Sequence, residues 1–259
     1  MGQLDGKVAC ITGGTRSIGR ACAEAFLREG ANVVVNGKDA EKGATAVKEM
    51  GGGDNVHFIQ GDVSKKEDCL ALIQGTVDHY GRIDILHANA GGVQGPGPVT
   101  AVADADLQAT FEWNFWHTFW TMQAALGHMT EQGFGRIIAT SSVESKRGTP
   151  GLFPYSVNKA AINALVRSAA QEVGTLGITV NAIAPGAIET DAMKNDAPAA
   201  ADAMGMSYEA LKEMFAEGSA IKRLNLVDEV AAVAVLLASD AGAGITGTVL
   251  SVDGGTATY

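Results

Sequence analysis

The chain has 259 residues, including 33 glycines, and 46% of its residues are hydrophobic and 19% charged, which suffices for one large buried core and excludes a disordered chain. The glycines follow no three-residue period, which excludes a collagen-like chain. With 19 basic and 29 acidic residues the net charge is −10, so no basic excess exists to displace the counterions of a nucleic acid, and we expect no nucleic-acid partner.

Short β-rich runs alternate with longer amphipathic stretches from the beginning of the chain. Residues 7–11 predict the first strand, and residues 17–29 have the apolar spacing of a helix that ends at Gly30. Six further strands are predicted, and each follows a segment that can form a helix. They are residues 32–36, 56–60, 83–87, 136–140, 178–184 and 248–252.

This alternation predicts an α/β fold, because parallel strands need crossover helices between them. Right-handed crossovers give a single doubly wound Rossmann domain over residues 1–259, with a seven-stranded parallel sheet and helices on both faces. Residues 191–219 follow the carboxyl end of a strand, where such sheets bind ligands, and are therefore a candidate substrate lid. A pair of packing helices explains this segment equally well.

The first predicted strand leads into the segment TGGTRSIG at residues 12–19 and then into a helix. Glycine lets the backbone approach a pyrophosphate closely, and the free N–H groups at the start of the helix bind its negative charge. A glycine cluster alone is a weak signal, but the strand before it and the helix after it predict a dinucleotide-binding site. The residues expected to contact the cofactor here are Gly13, Thr15, Arg16, Ser17, Ile18 and Gly19.

Together with further motifs along the chain, this segment makes the sequence similar to the single-domain branch of the short-chain dehydrogenase/reductase family. Thr12, Gly13 and Gly19 match the glycine motif TGxxx(G/A)xG, whereas Ser17 stands where the family usually has Gly or Ala and could either hydrogen-bond a phosphate or crowd it. The resemblance implies an NAD(P)-dependent oxidoreductase and carries over two sets of residues. The cofactor set adds Asp62, Val63, Asn89, Ala90, Gly91, Tyr155, Lys159, Pro185, Gly186, Ile188 and Thr190, and the catalytic set is Asn114, Ser142, Tyr155 and Lys159.

Tyr155 and Lys159 are four residues apart, so both side chains project from one face of a helix. A free tyrosine has a pKa of about 10, and a pKa of about 7 requires roughly 4 kcal/mol of preferential stabilisation of the phenolate, which the Lys159 ammonium and the positive cofactor ring can supply. By resemblance, Tyr155 is the general acid/base, Ser142 holds the substrate oxygen and Asn114 arranges a water toward Lys159. Without the resemblance, Asn114 would be interpreted as a structural residue inside a helix.

The end of the second strand indicates which nicotinamide cofactor is used. NAD enzymes usually place an acid there for the ribose 2′-hydroxyl, and a basic residue suits the 2′-phosphate of NADP. Gly37 stands at the position of that acid and Lys38 follows it, while Arg16 adds a second cation from the glycine loop, so we expect a preference for NADP. The alternative is that Asp39 binds the ribose of NAD, although Asp39 is also suited to capping the helix that begins there.

Location and assembly are predicted from weaker signals. The apolar run at residues 230–238 is less than half of the roughly 20 residues that a membrane helix needs, and no signal region precedes the first strand. The three cysteines are widely spaced, and the histidines lack helical ligand spacing, so we expect reduced thiols, no metal site and a cytoplasmic protein. The aromatic stretch 113–120 predicts core packing or a subunit interface, and relatives form dimers or tetramers through this region, so a homo-oligomer such as a homotetramer is expected.

The sequence therefore predicts an NAD(P)-dependent enzyme that interconverts a small-molecule secondary alcohol and a ketone. The alternative function is a catalytically silent dinucleotide-binding scaffold or a redox-sensing regulator, against which the intact Ser142, Tyr155 and Lys159 argue. The C-terminal third resembles both 3-oxoacyl-thioester reductases and 3-hydroxybutyrate dehydrogenases. Glu144 and Leu152 replace the His and Lys of the second branch, which argues against a small carboxylate substrate.

Overall fold

The computed structural model describes residues 2–257, apart from the side chains of residues 192, 196 and 203, and within them seven parallel strands form one sheet. The strand order is β3-β2-β1-β4-β5-β6-β7. This arrangement confirms the predicted doubly wound sheet. The strands are β1 Val8–Ile11, β2 Asn32–Gly37, β3 Val56–Gln60, β4 Ile85–Ala88, β5 Gly135–Thr140, β6 Ile178–Pro185 and β7 Val249–Val252.

Helices connect the strands and cover both faces of the sheet. A π-helical segment, Glu112–Trp116, joins the fourth helix to the fifth, and short 3₁₀ turns lie at residues 53–55, 143–145, 174–176 and 240–242. The α-helices are α1 Ser17–Arg28, α2 Ala40–Met50, α3 Lys66–Tyr80, α4 Asp104–Phe111, α5 His117–Gln132, α6 Phe153–Val173, α7 Asp191–Ala203, α8 Tyr208–Glu217 and α9 Val227–Ala238.

The core consists of two apolar layers, one on each face of the sheet. Val33 and Val35 of β2 pack into the layer beneath α1 and α9, whereas Val34 between them packs into the layer with α3, α5 and α6. Successive side chains of a strand point to opposite faces, so a strand that is buried on both faces must be apolar throughout. This explains the continuous apolar runs in the sequence.

The structure differs from the predicted elements in a few places. β4 begins at Ile85 instead of residue 83, because the Gln132 side chain pairs with both the N–H and the carbonyl of Ile83. The candidate lid at residues 191–219 contains the helices α7 and α8. No helix within residues 2–257 has both the length and the apolar character needed to cross a membrane.

Candidate active site

The loops that follow β1 and β4 meet at one edge of the sheet, where the two strands are direct neighbours. The chain passes from β1 to β2 on one side, while β4 lies on the other, so the strand order reverses here. Thr12 joins the loops, since its Oγ1 accepts hydrogen bonds from the N–H groups of Asn89 and Ala90, both at 2.9 Å. Open α/β sheets bind their ligands in the crevice at such a reversal point.

The glycine loop needs two of its glycines for geometric reasons. Gly13 has a φ of +61°, in the left-handed region that favours glycine. A Cβ at Gly19 would lie 2.3 Å from the carbonyl oxygen of Gly13, so a side chain there would force the loop away from α1. These positions therefore allow the close loop-to-helix packing that pyrophosphate binding requires.

Ser17, the departure from the family motif, is the first residue of α1 and has a φ of +50°, which strains a residue with a side chain. Its hydroxyl donates to Oδ2 of Asp191 at 3.1 Å and accepts from the Asp191 N–H at 3.3 Å. The hydroxyl therefore joins the glycine loop to the start of α7. No pattern of neighbouring residues signals this contact, because the two residues are far apart in the chain.

A cleft of about 450 Å³ opens beside the glycine loop. Arg16 is exposed at its edge, and none of the ion pairs formed among residues 2–257 includes this guanidinium. The first turn of α1 carries no acidic side chain of its own, although the Asp191 carboxylate reaches its first residue through the Ser17 hydroxyl. The cleft is lined, among others, by Thr15, Arg16, Ser17, Glu189, Thr190 and Asp191.

The end of β2 places the residues that were expected to distinguish the cofactors. A Cβ at Gly37 would lie 3.2 Å from the Thr15 side chain, so the backbone passes close to the glycine loop. Lys38 Nζ lies 3.1 Å from Oδ1 of Asp62. Asp39 caps α2, because its Oδ1 accepts the N–H of Lys42 at 3.0 Å, and this bond lowers the pKa of Asp39. Of its two predicted roles, Asp39 therefore performs the capping one.

The loop after β4 brings the cofactor crevice and the predicted catalytic residues together. Asn89 donates through Nδ2 to the carbonyls of Thr12 and Gly13, at 3.1 and 3.4 Å. Gly91 has a φ of +143°, and a Cβ there would lie 2.5 Å from Oδ1 of Asn114 and 3.3 Å from Nζ of Lys159. The chain thus passes directly over both side chains, and a larger residue at Gly91 would displace them.

Asn114 is buried in the π-helical segment. Its Oδ1 accepts the N–H of Gly92 at 3.1 Å, and its Nδ2 donates to the carbonyls of Gly92 and Thr110, at 3.0 and 2.9 Å. The structural role considered for this residue is therefore present, since both amide hydrogens are used. The same bonds hold the side chain next to Gly91 and Lys159. Short π-helical segments are frequent at functional sites.

Ser142, Tyr155 and Lys159 come together at the carboxyl end of β5. The Ser142 hydroxyl follows the strand and contacts the Tyr155 phenol, while Lys159 Nζ donates to the carbonyl of Thr140 at 2.8 Å. The ammonium lies 5.5 Å from the centre of the Tyr155 ring. Ser141, by contrast, donates to Oδ1 of Asn163 at 2.6 Å, away from the tyrosine. The structure thus places the Ser142 hydroxyl, and not the Ser141 hydroxyl, beside the Tyr155 phenol.

Burial shifts the two titratable groups of this cluster in a direction opposite to the one that catalysis needs. It raises the pKa of Tyr155 to about 12, although the contact with Ser142 lowers this pKa and the Glu144 carboxylate raises it further. Burial also lowers the pKa of Lys159 to about 7. The side chains around Tyr155 therefore do not by themselves produce a phenolate near neutral pH. A protonated Lys159 and the positive charge of an oxidised nicotinamide would have to do so.

The remaining predicted cofactor residues lie at the carboxyl ends of β3 and β6, apart from Ile18, which lies in the first turn of α1. Asp62 accepts hydrogen bonds from the backbone and hydroxyl of Ser64, at 2.9 and 2.6 Å. A Cβ at Gly186 would lie 2.7 Å from the Cα of Asp253, and the Oγ1 of Thr190 accepts the N–H of Met193 at 3.2 Å as the cap of α7. Three others are buried or half-buried beside the crevice: Ile18, Val63 and Ile188.

Comparisons with known proteins match the whole chain. A family model described as enoyl-(acyl carrier protein) reductase matches residues 13–257. Versicolorin reductase stcU of Emericella nidulans is 38% identical over 257 residues, covering 98% of this chain and 96% of that protein. The 3-oxoacyl-[acyl-carrier-protein] reductase FabG of Chlamydia trachomatis is 34% identical over 258 residues, covering 99% of both.

A solved structure is similar over the full length as well. The crystal structure of a variant of actinorhodin polyketide ketoreductase with NADPH has a TM-score of 0.94 and 30% identity, with 100% of both chains covered. All three are named as reductases, and the names of two of them, 3-oxoacyl-[acyl-carrier-protein] reductase and polyketide ketoreductase, state a carbonyl group. The chain therefore belongs to the short-chain dehydrogenase/reductase family and is an NAD(P)-dependent oxidoreductase of carbonyl and alcohol groups.

Proposed function

We propose that the enzyme interconverts a small-molecule secondary alcohol and a ketone, with Tyr155 as its general acid/base. The observation that carries this proposal is the cluster in which the Ser142 hydroxyl contacts the Tyr155 phenol and the Lys159 ammonium lies 5.5 Å from the centre of the Tyr155 ring. Bound nicotinamide would supply or accept the hydride. In the reducing direction, the Tyr155 hydroxyl donates its proton to the carbonyl oxygen, and the Ser142 hydroxyl donates a hydrogen bond to the same oxygen.

The other residues of the site have supporting roles in this proposal. Lys159 in its charged form stabilises the Tyr155 phenolate, and Asn114 arranges a water toward Lys159. The cofactor lies along the glycine loop, where Gly13, Ile18 and Gly19 let it approach the backbone. Its remaining contacts are to Thr15, Arg16, Ser17, Lys38, Asp62, Val63, Asn89, Ala90, Gly91, Pro185, Gly186, Ile188 and Thr190.

A panel of ketones and secondary alcohols, assayed with NADPH or NADH and with the oxidised forms for the alcohols, tests the reaction. We expect turnover with at least one ketone class and its reverse with the matching alcohol. Tight cofactor binding without turnover across the panel would contradict an enzymatic function of this site. That outcome would favour the alternative of a silent scaffold or redox sensor.

We also propose that the enzyme prefers NADP to NAD. Three features support this preference: the exposed Arg16 at the edge of the cleft, Gly37 in the place of an acid, and the engagement of Asp39 as a helix cap. Lys38 contributes a second cation, although its contact with Asp62 at 3.1 Å must loosen for it to reach a phosphate. Both ion-pair members are partly exposed, so this contact is weak.

Replacing Arg16 by alanine is expected to raise the dissociation constant of NADPH about tenfold, because roughly 1.4 kcal/mol of charge pairing is lost, and to leave that of NADH nearly unchanged. Lys38→Ala should act in the same direction with a smaller effect, and both effects should shrink with added salt. Fluorescence titration with both cofactors measures them. Lys42→Ala, which removes a more exposed cation of α2, is the matched control. Tighter binding of NADH than NADPH by the wild-type enzyme would refute the preference.

We propose that residues 1–259 act as one catalytic domain and that residues 191–219 form a lid over the substrate. The contacts of Ser17 with Asp191 support this role, since they join the segment to the cofactor loop. Glu189, just before α7, accepts hydrogen bonds from Tyr208 and Lys212 of α8 at 3.2 and 3.0 Å. These contacts hold α8 against the residue that leads into α7 and that lines the cleft.

We further propose that the enzyme is a cytoplasmic homo-oligomer, a dimer or a tetramer. Trp116 is 40% exposed and stacks on Trp120 with ring centres 5.9 Å apart, so an apolar surface lies next to the site. Aromatic side chains with such exposure are typical of subunit interfaces.

The cysteines support the cytoplasmic location. The free, buried thiols of Cys10, Cys22 and Cys69 are typical of proteins from reducing compartments.

A further inference from the structure

His117 is a buried histidine that contacts both halves of the crevice but has no part in the proposed mechanism. Its Nδ1 lies 2.9 Å from the carbonyl oxygen of Trp113, and its Nε2 lies 3.3 Å from Oγ1 of Thr12. A carbonyl only accepts hydrogen bonds, so we assign the ring proton to Nδ1. In the neutral ring, Nε2 is then an acceptor, and the Thr12 hydroxyl donates to it.

The hydrogen bonds of Thr12 make this assignment consistent. Its Oγ1 accepts the N–H groups of Asn89 and Ala90, both at 2.9 Å, so both lone pairs are used and only its own hydrogen remains to be donated. A charged imidazole would direct a second N–H at this saturated oxygen. Burial and the nearby Lys159 ammonium lower the pKa of His117 to about 3, which keeps the ring neutral.

The other ring nitrogen holds the segment that carries Asn114. Within Glu112–Trp116, the carbonyl of Trp113 accepts from His117 Nδ1, and the carbonyl of Asn114 accepts from Thr118 Oγ1 at 2.8 Å. Side-chain hydrogen bonds of this kind satisfy carbonyls where the regular helical pattern is interrupted. The His117 ring therefore connects the π-helical segment to the hydroxyl that holds the loop at residues 89–91.

We propose that His117 is a positioning residue, which sets the distance between Asn114 and the loop at residues 89–91. The consequence for the reaction rests on the proposed function, because that loop passes over Asn114 and Lys159 at Gly91. A shift of the loop would misplace the nicotinamide end of the cofactor relative to Tyr155. Since small misplacements of reacting groups are costly, the effect should fall mainly on kcat.

Three substitutions of His117 separate its hydrogen bonds from its volume. His117→Phe fills the space and removes both bonds, and we expect kcat to fall about tenfold with a smaller change in KM. His117→Gln places an acceptor near Thr12 and should recover most of kcat, whereas His117→Asn restores the Nδ1 donor and should recover less. His128→Phe, on the same helix, is the matched control and should retain wild-type kcat.

A double-mutant cycle tests whether His117 acts through Thr12. If it does, His117→Asn combined with Thr12→Val should have nearly the same kcat as Thr12→Val alone, because His117→Asn keeps the Nδ1 donor and removes only a bond that Thr12→Val has already lost. Independent effects that multiply would overturn the proposal. Equal kcat values for the Gln and Asn variants would also overturn it, and this comparison remains available if the Phe variant fails to fold.

Amide hydrogen exchange provides a readout that does not depend on activity. We expect the N–H groups of Asn89 and Ala90 to exchange at least tenfold faster in His117→Phe and in His117→Asn than in the wild-type enzyme, and to exchange at nearly the wild-type rate in His117→Gln. The N–H of Val180 in β6 should not change. Unchanged exchange at Asn89 and Ala90 in His117→Asn would refute the proposal, whereas faster exchange in an enzyme that reduces no ketone would refute only the proposed function.

Discussion

Replacing Tyr155 by phenylalanine is expected to lower kcat by about a thousandfold, within the range that general acid/base catalysis contributes. The substitution removes the hydroxyl that exchanges a proton with the substrate oxygen, while Ser142 and the glycine loop stay in place. Cofactor affinity should therefore remain within a few-fold of wild type. Steady-state kinetics with the best ketone and fluorescence titration with NADPH measure the two quantities.

Tyr80→Phe is a suitable control for this experiment. The Tyr80 hydroxyl donates to the carbonyl of Asp54 at 3.0 Å, at the surface and on a different helix, so its loss should not affect kcat. If Tyr155→Phe retained wild-type turnover in both directions, another group would have to move the proton. The general acid/base role of Tyr155 would then be wrong, although membership of the family would not be affected.

Replacing Lys159 by methionine is expected to abolish turnover and at the same time to stabilise the folded protein near neutral pH. Lys159 is only 2% exposed, and its burial lowers its pKa from 10.5 to about 7. Between these two values the unfolded chain binds more protons than the folded one. The stability of the wild-type protein must therefore rise with pH across this range.

Methionine has no such pH dependence, so the stability advantage of the variant should decline as pH rises. Linkage gives a pH-dependent advantage of about 4 kcal/mol at pH 7 and about 2 kcal/mol at pH 9. A constant loss is subtracted at every pH, because the carbonyl of Thr140 loses its bond to Nζ. Urea unfolding of both proteins at pH 7, 8 and 9 measures the difference. A difference that does not vary with pH would contradict the lowered pKa of Lys159.

Much of the fold could be predicted because its signals are local. The alternation of apolar runs and helical spacing reports which backbone segments can be buried between two layers, and this is a property of neighbouring residues. The strand bounds were less predictable. β4 begins two residues later than expected because Gln132, far along the chain, occupies the backbone of Ile83.

The candidate site shows the same division. The glycine loop and the spacing of Tyr155 and Lys159 were visible because each lies within one turn or one helix. The capping role of Asp39 became visible only in the structure, since a cap is defined by a hydrogen bond, here to the Lys42 N–H, and not by residue type. The pKa shifts of Tyr155 and Lys159 also depend on burial by distant elements. The nearby Lys159 alone would predict a lowered pKa for Tyr155, whereas burial raises this pKa.

The sequence by itself therefore determined the fold class, the cofactor crevice and the catalytic candidates, because these depend on periodicity and on motifs of adjacent residues. Only the tertiary structure decided which side chains meet across the crevice. The contacts of Thr12 with His117 and of Ser17 with Asp191 join residues 105 and 174 positions apart. Such pairs form when separate strands end at one edge of a sheet, and no pattern of neighbouring residues encodes them.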